Sequence, residues 1–331
     1  MFRRTLSTQF VTFASAAALS SLASVGCDPF GSHEALTAGS GGQGAGSGGA
    51  TSAQTGSGGA TSTGSGMCVG AETLCGSSCV DLQTDAANCG TCGKACSFNE
   101  ACEGGECSRI PCRALKFDGK DDFVSVPASV DFAYGSAFTV EWWMKAAAGV
   151  DYPRILAHEA TSGAPNSLYT SWSVDGVNKL GQVRFQTALS SEFETSTTLV
   201  KQGAWAHVAA VITNGTDITL YFNGAQSGMG TASFSGDTTN VVLGIGADLK
   251  HLTDYPFSGS IGPLRISKKA RYTNAFSPAW GWEADADTVA VWNMFEGAGA
   301  SLLDQSGGKH DGAIVGPVWE SLATCPTGGA R

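Results

Sequence analysis

Two strand-like segments joined by a short polar turn constrain the fold of this chain more than any other feature. The first is Trp205–Ile212 and the second is Ile218–Gly224, both rich in β-branched and aromatic residues. The linker 213–217 contains an Asn-Gly pair, and a second Asn-Gly pair ends the second segment. Asn-Gly favours the left-handed backbone of tight hairpin turns. The sequence therefore predicts an antiparallel hairpin followed by another tight turn.

The same pattern of short strands and turns extends from Cys112 to Cys325. Short β-rich runs alternate with Gly, Asn, Asp and Pro turns, and helical periodicity is scarce. Many short strands at near-regular spacing are typical of a sandwich or jellyroll. The loops are too short, and the helical segments too few, for an α/β sheet. We therefore predict one all-β domain over residues 112–325.

The first 26 residues are predicted to be an export signal. Arg3 and Arg4 precede a mildly apolar stretch, Phe10–Val25, which is too short and too rich in Ser and Ala to make a good membrane span. The segment 24–27, Ser-Val-Gly-Cys, resembles a bacterial lipobox, which predicts acylation of Cys27. The usual Leu three residues before the Cys is replaced by Ser24, so ordinary cleavage nearby, with Cys27 free, is the alternative. Membrane association is expected only through a lipid anchor at Cys27.

Residues 27–66 are predicted to be a disordered, flexible tether. From about residue 35 onward they are nearly all Gly, Ser, Ala, Thr and Gln, which cannot bury a core. A random coil of about 30 residues has a root-mean-square span of roughly 30 Å. The tether would hold the remainder of the chain clear of a membrane surface.

Residues 67–108 form a small cysteine-rich module. About 40 residues bury too little apolar surface alone, so cross-links are expected to stabilise it. The pairing is open among 105 possibilities. Cys89-x-x-Cys92 has zinc-ligand spacing, but the module has no His and the exported context favours disulfides. The eight cysteines are Cys68, Cys75, Cys79, Cys89, Cys92, Cys96, Cys102 and Cys107.

Setting Cys27 aside as a lipid carrier leaves ten of the 11 cysteines, an even number that disulfides can satisfy. The module resembles short cysteine-rich modules in surface proteins of myxobacteria. A stiff spacer is the role expected for the module.

A series of motifs runs through the predicted β domain. In chain order they are A-L-K-F-D-G-K-D-D-F-V at 114–124, F-T-V-E-W-W-M-K at 138–145, W-A-H-V-A-A-V with L-Y-F-N-G at 205–224, F-S-G-S-I-G-P-L-R-I at 257–266, and W-N-M-F-E-G-A-G with D-Q-S-G at 292–307. The series resembles the laminin G-like, concanavalin A-type jellyroll family. That resemblance implies two antiparallel sheets packed face to face, and binding rather than catalysis. It also implies neighbouring termini, so Cys112 and Cys325 are expected to form a disulfide.

The chain departs from the family pattern at one position. The Asp that usually follows the Ile of the fourth motif is here Gly262, followed by Pro263. If that carboxylate anchors a metal or a loop in relatives, it is missing here.

Three carboxylates within five residues form a candidate calcium site. Asp118, Asp121 and Asp122 lie in a predicted turn, and calcium takes several oxygen ligands. The alternative is a solvated turn in which Asp118 bonds to the backbone. We expect no required cofactor, with calcium as the one candidate.

Aromatic and cationic residues on strands are the candidate ligand contacts. Side chains alternate across a strand, so Trp143 shares a face with Thr139, Glu141 and Lys145, as a sugar-stacking ring would. Packing against an adjacent segment is the alternative for Trp143. The other candidates are Tyr169, Trp172 and Arg184.

An enzyme is not expected. Glu192 and Glu194 alternate on one predicted strand, and glycosidases use paired carboxylates. The chain lacks the E-x-D-x-x-E signature of jellyroll glycosidases around them. A degenerate glycosidase is therefore the third hypothesis. The net charge of -10 disfavours nucleic acid as a partner.

Together these features predict an exported binding or adhesion protein. It is expected at the cell envelope or surface as a lipoprotein, or otherwise secreted, and to recognise a carbohydrate or a surface protein. The alternative is a structural envelope module that binds no small ligand.

Overall fold

The structure is a computed structural model that describes residues 68–147, 153–158, 168–172, 183–187, 191–194, 200–231 and 238–328. For 168–172, 183–187 and 191–194 the backbone alone is described. The chain divides after Thr63, and every described residue belongs to the second unit, Gly64–Arg331. The predicted signal, Cys27 and the predicted tether lie outside the described residues.

Strands make up nearly all the regular structure of the described residues, which also contain a 3-10 turn at Val130–Phe132. The strands are β1 (Thr73–Cys75), β2 (Ser78–Val80), β3 (Glu100–Glu103), β4 (Glu106–Arg109), β5 (Arg113–Asp118), β6 (Phe123–Val126), β7 (Phe138–Ala146), β8 (Arg154–His158), β9 (Leu168–Trp172), β10 (Val183–Thr187), β11 (Ser191–Glu194), β12 (Trp205–Thr213), β13 (Asp217–Phe222), β14 (Ala225–Thr231), β15 (Leu243–Ile245), β16 (Ser258–Ser267), β17 (Thr288–Trp292), β18 (Ser301–Leu302), β19 (Gly312–Val315) and β20 (Val318–Ser321). None of the helices in the described residues is long and apolar enough to cross a bilayer.

Two large antiparallel sheets form the sandwich. Sheet A has the order β11-β10-β9-β8-β15-β6-β19-β18, and sheet B has the order β14-β13-β12-β7-β16-β5-β20, with β17 beside β16. One apolar core draws on both sheets, including Val124 and Leu243 from sheet A and Val140 and Trp142 from sheet B. The predicted all-β jellyroll is confirmed.

The predicted hairpin lies in sheet B, between the edge strand β14 and β7. Strands β12 and β13 pair from Val208↔Phe222 to Thr213↔Asp217. The turn places Asn214 and Gly215 at φ 54° and 74°, in the left-handed region that Asn and Gly tolerate. The second Asn-Gly pair has φ 48° and 80° and leads into β14. Both turns follow from the local sequence, as predicted.

The outer face of sheet B is partly covered by the segment 268–287 between β16 and β17, here called the strap. The hydroxyl of Thr139 donates to the Lys269 carbonyl at 2.8 Å and accepts from the Arg271 amide at 3.0 Å. Further along, the Phe276 amide donates to the Gly224 carbonyl at 2.9 Å. These bonds fix the strap across β7 and the turn before β14.

Four disulfides and two short hairpins, β1–β2 and β3–β4, build the cysteine-rich module. The bonds are Cys68–Cys79, Cys75–Cys92, Cys89–Cys102 and Cys96–Cys107. The two cysteines with zinc-ligand spacing therefore bond to different partners. A fifth disulfide joins Cys112 and Cys325, whose Cα atoms lie 5.3 Å apart, as the resemblance implies.

Candidate functional site

The side chain of Trp143 lies beneath the strap. It is 1% exposed, and its indole Nε1 donates to the Ala279 carbonyl at 2.8 Å. A ring in this position offers no free face, so Trp143 cannot stack on a sugar in this structure. The alternative, packing against an adjacent segment, describes its surroundings.

The other three predicted contact residues lie on a different sheet from Trp143. Tyr169 and Trp172 are on β9 and Arg184 is on the neighbouring β10, both in sheet A. Arg184 pairs in register with Ser171. Glu194, on β11, pairs with Arg184 on its other side. The side chains of these strands lie outside the described residues, so their contacts stay predictions.

The predicted calcium ligands lie in the turn between β5 and β6. Asp122 is buried, and its carboxylate accepts from the Asp118 amide at 2.7 Å. Asp118 accepts from the Lys120 amide at 2.9 Å, which is an Asx-type turn. Carboxylate oxygens of the three aspartates lie within 4.8 Å of one another. The turn is thus closed by its own side chains while its carboxylates remain grouped.

Burial is the main reason that the pKa of Asp122 is raised above its usual value. The hydrogen bond from the Asp118 amide opposes this, and the charges of Asp118 and Asp121 add to it. The backbone of Gly316 also approaches closely, because a Cβ there would clash with Asp122 Oδ1. Asp122 therefore has a clear packing role.

The structure reveals an aromatic group that the sequence analysis missed. Trp143, Trp205, Trp280 and Trp282, here called the tryptophan cluster, gather on the outer face of sheet B at the end of the strap. The Trp280 ring lies 5.3 Å from that of Trp143 and 4.9 Å from that of Trp205, the latter at 89°. Edge-to-face contacts of this kind are favourable for indole rings.

Trp143 and Trp282 are buried, whereas Trp205 and Trp280 are half-buried. The cluster is therefore a packed group with two rings that reach the surface.

A buried charged group supports the cluster from below. The guanidinium of Arg265 donates to Glu141 Oε1 from Nε at 2.8 Å and from Nη2 at 2.6 Å. Tyr272 Oη donates to Glu141 Oε2 at 2.8 Å, and His207 Nε2 lies 3.2 Å from the same oxygen. Burial alone would raise the pKa of Glu141, but the hydrogen bond to His207 and the charge of Arg265 hold it below its usual value.

Arg265 connects this charged group to the tryptophans. Its guanidinium carbon lies 4.9 Å from the Trp282 ring centre, a cation–π arrangement. No described residue accepts a hydrogen bond from Arg265 Nη1, although the residue is only 6% exposed. One donor of a largely buried cation is thus available to a ligand.

A cleft of about 1310 Å³ opens beside the tryptophan cluster. Its walls are the end of the strap, the C-terminal segment 322–327 and the cysteine-rich module. Among the residues that line it are Phe98, Arg265, Trp280, Trp282, Glu283 and Phe295. Aromatic rings, the Arg265 guanidinium and the Glu283 carboxylate therefore line one concave surface. Small-molecule binding sites usually combine apolar rings with a few polar groups in this way.

The strap end that forms this wall is firmly held. Asn293 accepts from the Trp282 amide at 2.8 Å and donates to the Trp282 carbonyl at 3.0 Å. Gly281 has φ 90°, and a Cβ on it would meet Asn293 Oδ1 at 2.8 Å. The wall is set by tight local packing.

Comparison with known families agrees with the sandwich architecture. Residues 118–274 match the model of the concanavalin A-like lectin/glucanases superfamily. The jellyroll has a concanavalin A-like fold. Residues 60–116 match the stigma-specific STIG1-like protein family, over the cysteine-rich module. No curated protein matches the chain.

Three solved structures are similar to this chain at low sequence identity. A Bacteroides ovatus protein, for which carbohydrate binding has been suggested, is 16% identical with a TM-score of 0.50, over 66% of this chain and 62% of its own. The CBM40 of a Ruminococcus gnavus IT-sialidase, bound to α2,3-sialyllactose, is 13% identical with a TM-score of 0.38, over 48% and 91%. Domains LG4-5 of the mouse laminin α1 chain are 15% identical with a TM-score of 0.37, over 53% and 48%.

Trp143, the one predicted contact residue whose side chain is described, does not line the cleft. The signal that could have found it is the Ala-Trp-Gly-Trp segment at 279–282, where two aromatics flank a Gly in a turn-rich stretch. Sequence alone does not show that this segment reaches Trp143, because that contact spans more than 100 residues of chain.

Proposed function

We propose that the protein binds a carbohydrate in the cleft, with the indole of Trp280 as its aromatic platform. The observation that carries this proposal is the setting of Trp280. Its ring lines the cleft, and it is packed against Trp143, Trp205 and the backbone of Gly262. A half-buried ring fixed in this way presents a rigid apolar surface.

The cleft chemistry suits a sugar. The apolar C–H face of a pyranose packs on an indole, while its hydroxyls need hydrogen-bond partners at the edges. Arg265 Nη1 supplies a donor, and the carboxylate of Glu283 supplies an acceptor. Because Glu141 and Trp282 already hold the guanidinium, little side-chain entropy is lost when a ligand binds.

Binding without hydrolysis is the favoured activity. Glycosidases place two carboxyl groups across the scissile bond. Among the described residues that line the cleft, Glu283 is the only acid. The description of the matching family includes lectins, which agrees with a saccharide ligand.

We also propose that the protein is exported. Five disulfides among the described residues support an oxidising compartment, since such bonds rarely persist in the cytosol. Anchoring through acylated Cys27 is part of this proposal. Metabolic labelling with palmitate should mark the natural chain and leave a Cys27→Ser variant unlabelled. An unlabelled natural chain would favour a secreted protein.

Calcium is an optional component of the proposal. Asp118, Asp121 and Asp122 are the residues that would hold it, and carboxylate oxygens are the ligands that calcium takes. Saccharide binding in the cleft does not depend on this site.

The test is a glycan-array screen of the full chain, followed by isothermal titration of the best saccharide. Trp280→Leu keeps apolar bulk and removes the ring, so we expect at least a tenfold loss of affinity, or about 1.4 kcal/mol. Trp319→Leu is the matched control, because Trp319 is half-buried on β20 and does not line the cleft. Equal affinities for the two variants would contradict the assignment of the platform.

A blank array from folded protein would argue for the alternative partner, a surface protein, or for a structural envelope role. Hydrolysis of an arrayed glycan, lost in Glu192→Gln or Glu194→Gln, would instead indicate a glycosidase.

A further inference from the structure

We infer that the cysteine-rich module forms part of the binding site, which takes a neutral oligosaccharide across the module and the jellyroll. This inference rests on the proposed function, because it extends the ligand that contacts Trp280. It differs from the spacer role that the sequence suggests for the module.

The module is seated directly on the jellyroll. The Phe98 ring packs against Phe295, with ring centres 5.6 Å apart at 53°. A Cβ on Gly281 would lie 3.5 Å from Phe98 Cζ, so the ring also reaches the strap end. The Cys112–Cys325 disulfide closes the junction, and the Leu322 amide donates to the Cys112 carbonyl at 2.8 Å. A spacer that held the domain at a distance would need none of these contacts.

Two polar side chains of the module face the same cleft. Asn99 immediately precedes β3 and Arg109 ends β4, so both lie at the open end of one hairpin. The register pairs Glu100 with Arg109, and the Ile110 amide donates to the Asn99 carbonyl at 2.9 Å. The hairpin geometry therefore places Asn99 and Arg109 together on the module wall of the cleft.

These two side chains have unused hydrogen-bonding capacity. Among the described residues, the Asn99 amide has no hydrogen-bond partner, and the exposed Arg109 guanidinium has neither a hydrogen bond nor an ion pair. Across the cleft, Arg265 Nη1 is likewise without an acceptor. Donors from both walls thus converge on one volume, which suits a polyhydroxylated ligand.

The volume of the cleft and the charges of its side chains limit which saccharides it can bind. A volume of about 1310 Å³ exceeds the 300–1,000 Å³ of pockets for drug-sized molecules, so the cleft has room for several sugar units. Glu141, which pairs with Arg265, balances its positive charge, and the carboxylate of Glu283 balances the charge of Arg109. The site therefore has no net charge and suits a neutral saccharide.

The test uses the full chain and a series of the best neutral saccharide, from monosaccharide to hexasaccharide, in isothermal titration. The natural protein should bind the longer members more tightly. Asn99→Ala and Arg109→Ala should each weaken binding of the longest member by roughly fivefold, the effect of one hydrogen bond. Neither should change binding of the shortest member that binds. Lys94→Ala is the control, since Lys94 is an exposed cation of the module that does not line the cleft.

Two outcomes separate the inference from the proposed function. If Trp280→Leu weakens every member while Asn99→Ala and Arg109→Ala bind the longest like the natural protein, the module is a spacer and the inference is overturned. If Trp280→Leu binds every member like the natural protein, the proposed platform itself is wrong. Far-ultraviolet circular dichroism should match the natural chain for each variant, and Arg109→Lys replaces Arg109→Ala if that variant does not fold.

Discussion

Gly262 lies directly beneath the indole of Trp280, because a Cβ built on Gly262 would meet Trp280 Cη2 at 2.5 Å. The same Cβ would lie 3.1 Å from the Cβ of Trp143. The family pattern has an Asp at this position, and here a glycine makes room for an aromatic ring. The departure from the pattern and the position of the Trp280 ring are therefore one structural feature.

Replacing Gly262 with Ala should displace Trp280. Overpacking of this kind costs about 1–3 kcal/mol of unfolding free energy. Saccharide affinity should fall as well, since the ring moves. Urea denaturation and isothermal titration measure the two effects. Gly135→Ala is the control, because a Cβ there meets nothing within 4 Å and its φ is not positive. If Gly262→Ala keeps the stability and the affinity of the natural protein, the position of the Trp280 ring does not depend on the glycine.

The buried pair of Glu141 and Arg265 should be highly sensitive to the loss of one partner. Glu141→Gln leaves the guanidinium without its counter-charge in a site where the carboxylate is 0% exposed. Breaking a buried pair in this way typically costs about 3–5 kcal/mol. Chemical denaturation checks the loss. Lys120→Ala breaks the exposed contact with Asp118 and should cost about 0–1 kcal/mol. Comparable losses for the two variants would refute the structural role of the buried pair.

Because His158 is buried, we expect the protein to lose stability in mild acid. Its Nε2 lies 2.9 Å from the Val241 carbonyl, and its Nδ1 lies 3.2 Å from Tyr134 Oη, which fits a neutral ring that donates from Nε2. Burial lowers its pKa from 6.5 to about 4. Between these values the unfolded chain binds a proton that the folded protein does not. Stability should therefore fall as pH drops from 6.5 to about 4, by up to about 3 kcal/mol.

Denaturation midpoints across that pH window test the effect of His158. In His158→Gln the amide can still donate to the Val241 carbonyl, and its stability should vary less with pH than that of the natural chain. His251→Gln is the control, because it removes a histidine whose side chain is 41% exposed. An unchanged pH dependence in His158→Gln would assign the acid loss to other groups.

Chelation should leave saccharide binding intact. The aspartate turn lies at the Asp118 end of β5, whereas the cleft lies at the Arg113 end, beside Cys112. A strand of that length separates the two by roughly 17 Å, at about 3.4 Å per residue. Affinities with calcium and with EDTA should agree. A loss in EDTA that calcium restores, and that Asp121→Asn reproduces, would relocate the ligand site to the turn.

Local sequence predicted the parts of the fold that local physics determines. The Asn214-Gly215 turn needs a left-handed backbone, and the alternation along β7 separates Val140 and Trp142 from Glu141 and Trp143. Both features are visible in a few consecutive residues. The expected Cys112–Cys325 pair came from the family resemblance, because chain ends meet in a jellyroll.

The candidate site could not be predicted in the same way. Trp143 has polar neighbours along β7, which suggested exposure, but a strap more than 100 residues away covers it. The strap has no strand periodicity, so nothing in its own sequence indicates where it lies. The cleft depends on the seating of Phe98 against Phe295, a contact between two separate modules of the chain. Such contacts follow from tertiary packing rather than from sequence pattern.

The central claim is that the indole of Trp280 contacts a bound saccharide. The most direct measurement is fluorine NMR of the full chain labelled with 5-fluorotryptophan and titrated with the best saccharide from the array. A Trp280→Phe variant assigns the Trp280 resonance, and Trp292, which is 0% exposed in the core, serves as the internal reference. We predict that the Trp280 resonance shifts with saturation while the Trp292 resonance stays in place. Saturable binding that leaves the Trp280 resonance unmoved would contradict the account.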